Sequence, residues 1–256
     1  MTEAIDHTRL HEFYIRDGER SISKATERLE LYRFSCIVRE IRCLAVRLGQ
    51  ESLDVVDAGA GWGQLSIRLA EDRHHVVALD FAKTRLDRFE TRAQELGIKQ
   101  VMASLEEMPL PDESADVVVC SEVLEHLPSP GMAIREFSRI MKPQGFLLIT
   151  VPYAQVLQSV LCPHCGTPFD PRGHLHSFDM IGMANLLQSD NFAVCRKRII
   201  ANRFVVSLLG RGWIKAGVAQ MLDRVHPRRR NSGWLLVVAH KASQTLSMCK
   251  PEDSDV

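Results

Sequence analysis

The stretch that decides the fold runs Val55-Val56-Asp57-Ala58-Gly59-Ala60-Gly61-Trp62-Gly63. Apolar β-branched residues lead into an acid, and the acid leads into three glycines at alternate positions. The run Leu53–Asp57 reads as a short buried strand. Gly59, Gly61 and Gly63 then stop the strand and let the backbone turn without a Cβ between it and a ligand. Gln64–Asp72 reads as the helix that follows. A strand, a glycine turn and a helix in that order bring Asp57 to the carboxyl edge of a sheet, where open α/β sheets bind their ligands.

Outward from this unit the alternation continues. Strands are predicted at Val76–Asp80, Gln100–Ala103, Asp116–Cys120 and Gly145–Val151. Helices are predicted at Lys83–Leu96, stopped by Gly97, and at Pro130–Met141, where proline stands at the first position and its missing N–H does no harm. The strands are continuous apolar runs, which implies a parallel sheet covered on both faces. On the amino-terminal side Leu29, Ile37, Ile41, Leu44, Ala45 and Leu48 recur at helical spacing and predict an amphipathic helix over Ser23–Leu48. After Pro152 the pattern breaks. A helix is expected at Asp179–Ser189, a strand at Phe192–Ile200, an apolar helix at Arg203–Val225 and a last strand at Trp234–Ala239.

The expected fold is therefore α/β: a doubly wound, Rossmann-like sheet, mostly parallel with an antiparallel last strand, and helices on both faces. Residues 1–50 would form an arm and a helix packed on the core. Residues 51–243 would form one domain holding two insertions, 155–178 and 201–231, followed by a disordered tail, 244–256. A chain of 256 residues suits one large α/β domain.

Composition narrows the partners. Lys+Arg and Asp+Glu both total 32, so no bulk charge draws the chain to nucleic acid, and none is expected as a partner. No apolar run reaches transmembrane length. The segment MTEAIDHTRLHEFYIRDGER carries acids unlike a secretory leader, so a cytoplasmic protein is expected. In that compartment the seven cysteines predict thiols or metal ligands rather than disulfides. The apolar stretch 204–222 has three readings: a helix packed on the core, a lid or dimer contact, and a contact with a membrane surface.

Asp80 ends the second predicted strand, 23 residues after Asp57, and a carboxylate there accepts hydrogen bonds from two ribose hydroxyls. Competing readings of the turn are a purely structural one and a nicotinamide-dinucleotide fingerprint. The spacing is G-x-G-x-G rather than G-x-G-x-x-G, and Asp57 would repel a pyrophosphate at the helix start. An acid in that place suits a ligand carrying an amino group and a sulfonium.

These residues resemble the class I S-adenosylmethionine-dependent methyltransferases. VVDAGAGWG is similar to their first motif and VVALDFA to the acidic motif of the second strand. EEMPLPDESADVVVCSEVLEHLPSP resembles the stretch through the fourth strand, and EFSRIMKPQGFLLITVP the helix and fifth strand beyond it. The resemblance covers Leu53–Pro152. It implies that Asp57, Ala58 and the turn Gly59, Gly61, Gly63 hold the methionine part of S-adenosylmethionine, that Asp80 holds the ribose and that Phe81 packs on the adenine. Where the family usually places an aspartate after the third strand this chain has Ser104, so Ser104 or the Leu105 backbone would serve the adenine amino group. Cys120 and Ser121 would lie beside the methyl donor. The implied activity is methyl transfer to a small-molecule acceptor (a sugar, lipid or secondary metabolite), with O-methylation favoured. Protein or nucleic-acid methylation and a non-catalytic cofactor-binding module are the alternatives. Against amino-directed base methylation, CSEV stands where Asn/Asp-Pro-Pro-Tyr/Phe is found in such enzymes.

Glu122, Glu125 and His126 follow the fourth strand as E-x-x-E-H. His126 is the candidate general base, because an unperturbed imidazole titrates near neutrality. The segment also looks like that of ubiquinone-type O-methyltransferases, where a similar cluster is associated with a divalent cation; the structural alternative is that Glu125 and His126 set up the loop. Further on, Cys162-Pro-His-Cys165-Gly and Gly-His174-Leu-His176 predict one structural zinc held by Cys162, Cys165, His174 and His176, because two residues between cysteines let both sulfurs face one ion. A loop with two buried thiols is the alternative. CPHCGTPFDPRGHLHSF also resembles an insertion of some bacterial methyltransferases linked to sugar, lipid and natural-product pathways, and is expected to cover the acceptor side of the site.

Overall fold

The computed structural model describes residues 24–161, 166, 168–201, 208, 218 and 233–241. Cys162 and Cys165, the amino-terminal arm, the tail, and nearly all of the expected helical insertion lie outside the described residues.

The described chain runs α1 (Lys24–Leu48), β1 (Asp54–Ala58), α2 (Gln64–Glu71), β2 (His75–Asp80), α3 (Lys83–Asp87), α4 (Glu90–Leu96), β3 (Lys99–Met102) and β4 (Ala115–Ser121). It continues through a single 3-10 turn (Leu124–His126), α5 (Pro130–Ile140), β5 (Met141–Pro152), the short β6 (Val160–Leu161) and β7 (Pro168–Phe169), α6 (Met180–Ser189), β8 (Phe192–Ile200) and β9 (Trp234–Lys241). Seven strands make one sheet in the order β3-β2-β1-β4-β5-β9-β8. β1 to β5 are parallel, and β9 runs antiparallel to both β5 and β8. This is the expected doubly wound architecture.

The continuous apolar runs have the expected cause. Side chains alternate between the two faces of each strand, and both faces are covered. Val55, Val117, Val119, Phe146 and Leu148 pack with Tyr32, Ile37 and Ile41 of α1 and Leu65 and Leu69 of α2. Val56, Val118, Leu147, Ile149 and Val237 pack with Ile134 and Phe137 of α5 and Met183 and Leu187 of α6. At about 25 cal/mol per Å² of apolar surface removed from water, each fully buried large side chain contributes about 1.5–3 kcal/mol.

Two local departures have physical reasons. The single helix expected over Lys83–Leu96 is two, broken at Arg88 and Phe89, because Phe89 leaves helical geometry to pack its ring beneath Gly63. Cys36, Cys43 and Cys120 are free thiols, but Cys195 of β8 is in a disulfide, contrary to the expectation of thiols or metal ligands rather than disulfides. Asp179 stands as the cap of α6, its Oδ1 accepting from the N–H groups of Ile181 and Gly182 at 3.0 and 2.7 Å. Such a cap satisfies helix donors that have no partner of their own.

The strand order fixes where a ligand fits. From β1 the chain moves outward to β2 and β3, then returns to lay β4 on the other flank of β1. The carboxyl ends of β1 and β4 flank this point of reversal, and the cleft between their following loops is the ligand position of such sheets.

Candidate active site

β1 delivers Asp57 and Ala58 to that cleft. The turn beyond it is pinned to β2: the N–H groups of Gly59 and Ala60 both donate to the Leu79 carbonyl, at 2.7 and 2.9 Å. Gly59, Gly61 and Gly63 have φ of 86°, 54° and 72°, in the left-handed region that favours glycine. Their surroundings differ. A Cβ on Gly59 would stand 2.3 Å from Val123 Cγ2, and one on Gly63 would stand 2.3 Å from the Phe89 ring. One on Gly61 would meet nothing within 4 Å. Two of the glycines are needed for packing, and the third faces open space.

Asp57 is buried and accepts a 2.6 Å hydrogen bond from Ser66 Oγ. Burial raises its pKa to about 6, with the Ser66 bond opposing and the nearby Asp80 charge adding to the rise. Asp80 is also buried; its Oδ2 accepts from Gly61 N and its Oδ1 from Ala82 N, each at 2.9 Å. The Arg85 guanidinium lies 3.9 Å from Oδ2. Asp80 thus ties the glycine turn to the end of β2, and Phe81 beside it is exposed. Beyond β3, Ser104 is exposed and its Oγ accepts from Glu106 N at 3.1 Å, while Leu105 is buried in the core. Ser121 Oγ and Thr150 Oγ1 are hydrogen-bonded at 2.9 Å. Cys120 is wholly buried among the apolar residues of one sheet face, and burial pushes its thiol well up.

The other wall follows β4. Glu122 has φ 58°, a costly geometry for a residue with a side chain. It is held there by a 2.8 Å bond from its N–H to the Thr150 carbonyl and a 2.6 Å bond from Trp234 Nε1 to its Oε2. The Arg33 guanidinium lies 3.6 Å from the same oxygen and 5.0 Å above the Trp234 ring. Burial raises the Glu122 pKa, and the Arg33 charge opposes the rise. Arg33 and Trp234 escaped the sequence reading: they come from α1 and β9, far from the motif, and carry no local pattern that joins them to it.

Glu125 is buried, and neither carboxylate oxygen has a hydrogen-bond partner. Burial and the Glu122 charge push its pKa well up. His126 was expected to titrate near neutrality, but burial lowers its pKa to about 4, so the imidazole is neutral at neutral pH and is a weak base. Its Nδ1 is 3.1 Å from the Gly173 carbonyl; a carbonyl only accepts, so Nδ1 carries the hydrogen.

The insertion is stitched to this turn. Leu175 N and His176 N both donate to the Glu125 carbonyl, at 2.7 and 3.1 Å, and His176 Nε2 donates to the Leu127 carbonyl at 2.9 Å. The His174 ring is edge-on to His126, with centroids 4.7 Å apart. The structure thus brings His126, His174 and His176 together at the turn after β4.

Residues 56–149 match the family model described as a methyltransferase domain. The chain is 30% identical over 141 residues to a "probable S-adenosylmethionine-dependent methyltransferase" of Mycolicibacterium smegmatis, covering 55% of this chain and 52% of that one. It is 33% identical over 116 residues to the ubiquinone/menaquinone biosynthesis C-methyltransferase UbiE of Vibrio campbellii, covering 43% and 44%. The chain spans about half the length of the curated relatives it matches. Among solved structures, the Burkholderia thailandensis 1,6-didemethyltoxoflavin-N1-methyltransferase, with bound S-adenosylhomocysteine, superposes with a TM-score of 0.59 at 17% identity, over 95% of this chain and 94% of that one. Among the described residues no helix is long and apolar enough to cross a membrane.

Proposed function

We propose that this chain is an S-adenosylmethionine-dependent methyltransferase that transfers a methyl group to an oxygen of a small-molecule acceptor. The observation that carries the reading is the pairing of buried Asp57 and Asp80 around a glycine turn at the point where strand order reverses. The matched methyltransferase domain lies over the same residues. In this reading Asp57, Ala58 and the open face at Gly61 receive the methionine part, and Asp80 receives the ribose. Phe81 covers the adenine, with Ser104 or the Leu105 backbone at its rim. Ser121 lines the floor towards the methyl group, with the side chain of Cys120 buried behind it. A small acceptor fits because relatives named for quinone and toxoflavin chemistry share the domain or the fold.

The chemistry is an in-line displacement. The acceptor oxygen attacks the methyl carbon, the carbon–sulfur bond breaks, the sulfonium becomes a neutral thioether, and the acceptor proton leaves. The protein's contribution is alignment and exclusion of water. Binding of S-adenosylmethionine and its demethylated product, measured by calorimetry against NAD, tests the reading. Micromolar binding of the methyl-donor pair and none of NAD is expected; the reverse would refute it.

A further inference from the structure

We propose that Glu125, His126 and His174 form a site for one divalent transition-metal ion of the zinc class, which bridges the insertion to the turn after β4. One ligand atom from each of these residues lies within 4.8 Å of the others. The set differs both from the Cys/His zinc site expected from sequence and from the E-x-x-E-H cluster itself. Glu122 turns away to Trp234 and Arg33, and His174 of the insertion takes its place.

The second observation is Glu125 itself. Its side chain is 2% exposed, and both its oxygens are buried without a hydrogen-bond partner. An orphaned buried carboxylate is costly, and buried charges in proteins are paired or coordinate metals. Nothing else among the described residues satisfies these two oxygens, whereas an ion between them and the two imidazoles would.

The third observation is the fixed tautomer of His126. Donation from Nδ1 to the Gly173 carbonyl leaves Nε2 as the nitrogen with the lone pair, and Nε2 is 3.9 Å from Glu125 Oε1. An imidazole whose other nitrogen is anchored to a backbone carbonyl is the usual orientation of a metal-ligating histidine. Ligands at about 2.0–2.2 Å from one ion lie roughly 3.4 Å apart, so binding draws these atoms together by about an ångström through side-chain rotation. One carboxylate and two imidazoles suit zinc, iron, cobalt or nickel better than magnesium or calcium. Three protein ligands leave a position for an exogenous oxygen, which distinguishes this site from a closed structural one. In that arrangement His126 is a ligand rather than the base.

Metal binding by the purified, untagged full chain tests the proposal without reference to methyl transfer. After chelation, titration with Zn2+ alone should show one tight site per chain. Glu125→Gln should weaken it by more than the roughly 10–100-fold that loss of an outer-shell partner costs, and His174→Ala should do the same. Cys162→Ser and Cys165→Ser should leave it unchanged. Loading the unmodified chain with Co2+ gives a readout that does not depend on any variant folding: weak ligand-field bands with no thiolate-to-metal charge-transfer band are expected. No bound metal, a thiolate band, or unaltered affinity in Glu125→Gln would each overturn the assignment.

Discussion

Trp234 Nε1 donates to Glu122 Oε2 at 2.6 Å, joining the first residue of the last strand to the turn that follows β4. The bond crosses 112 positions of sequence and holds a glutamate whose backbone is in the left-handed region. A hydrogen bond to a charged group contributes about 1.5–3 kcal/mol. Trp234→Phe keeps most of the ring beneath Arg33 and removes only the donor. It should lower the unfolding free energy by about 2 kcal/mol in denaturant titrations. In a double-mutant cycle with Glu122→Ala the two losses should be non-additive, since each removes the same hydrogen bond. Strict additivity would show that the bond carries no coupling energy.

Asp57 gives a pH dependence with a definite sign. Its pKa rises from 3.8 to about 6 in the folded protein, through burial first. The folded state therefore holds this proton more tightly than the unfolded chain. Stability from this group is greatest below about pH 4, falls as the pH rises to about 6 and stays lower above it. The cost at neutral pH is at most about 3 kcal/mol, from 1.36 kcal/mol per unit. Asp57→Asn still accepts from Ser66 but has no charge to bury. The ligand-free variant should be more stable than its parent at pH 8 and about equal to it at pH 4, as read from denaturant midpoints. It should also lose affinity for S-adenosylmethionine. A variant less stable at both pH values would mean that the buried charge is not what this site costs.

The parts of the molecule legible in sequence are those whose signals are local. Val55–Gly63 carried its own strand, turn and helix start, and Asp80 followed from the end of the next apolar run. Asp179 marked a helix start because a cap is a local bond. What was not legible came from packing at a distance. Phe89 breaks a helix because of Gly63, and His126 loses its ordinary pKa through burial in the fold, which its bond to the Gly173 carbonyl only partly offsets. Arg33 reaches Glu122 only once α1 lies over the sheet. The spacing of Cys162, Cys165, His174 and His176 pointed to one shared ion, but spacing says nothing of which surface a loop docks on. The backbone bonds of Leu175 and His176 to Glu125 set His174 beside His126, while Cys162 and Cys165 lie outside the described residues.

Asp170 anchors the base of the insertion. Its carboxylate accepts from Gln158 N at 2.7 Å and from Arg172 N, Nε and Nη2 at 2.9, 2.9 and 2.6 Å. The Arg172 guanidinium and these N–H groups hold its pKa far below the usual carboxylate range. The stabilisation is fully present above about pH 4 and is lost only as the pH falls towards the depressed value, so it does not vary between pH 5 and 8. Asp170→Asn should free Gln158 and Arg172. Limited proteolysis should then cut within 155–173 faster than in the parent, with affinity for the methyl donor unchanged. Equal cleavage rates would show that the stitching to Glu125 suffices to hold the segment.

Gly61 and Gly63 separate binding from stability. Both have positive φ, and a Cβ in that region costs about 1–2 kcal/mol. At Gly63 the Cβ would also enter the Phe89 ring at 2.3 Å, a contact that must displace a buried aromatic side chain. Overpacking of this kind adds about 1–3 kcal/mol. At Gly61 the Cβ would meet nothing in the protein. Gly63→Ala should therefore be the more destabilising of the two by at least about 1 kcal/mol. Affinity for S-adenosylmethionine should rank differently. The open face of Gly61 is where the methionine part is proposed to approach the backbone, so a methyl group there fills ligand space rather than protein space. Gly61→Ala should stay folded, destabilised only by the backbone cost of about 1–2 kcal/mol, and lose most of its binding in calorimetry. If Gly61→Ala binds as tightly as the parent, the ligand does not approach this face, and the proposed methionine subsite is misplaced.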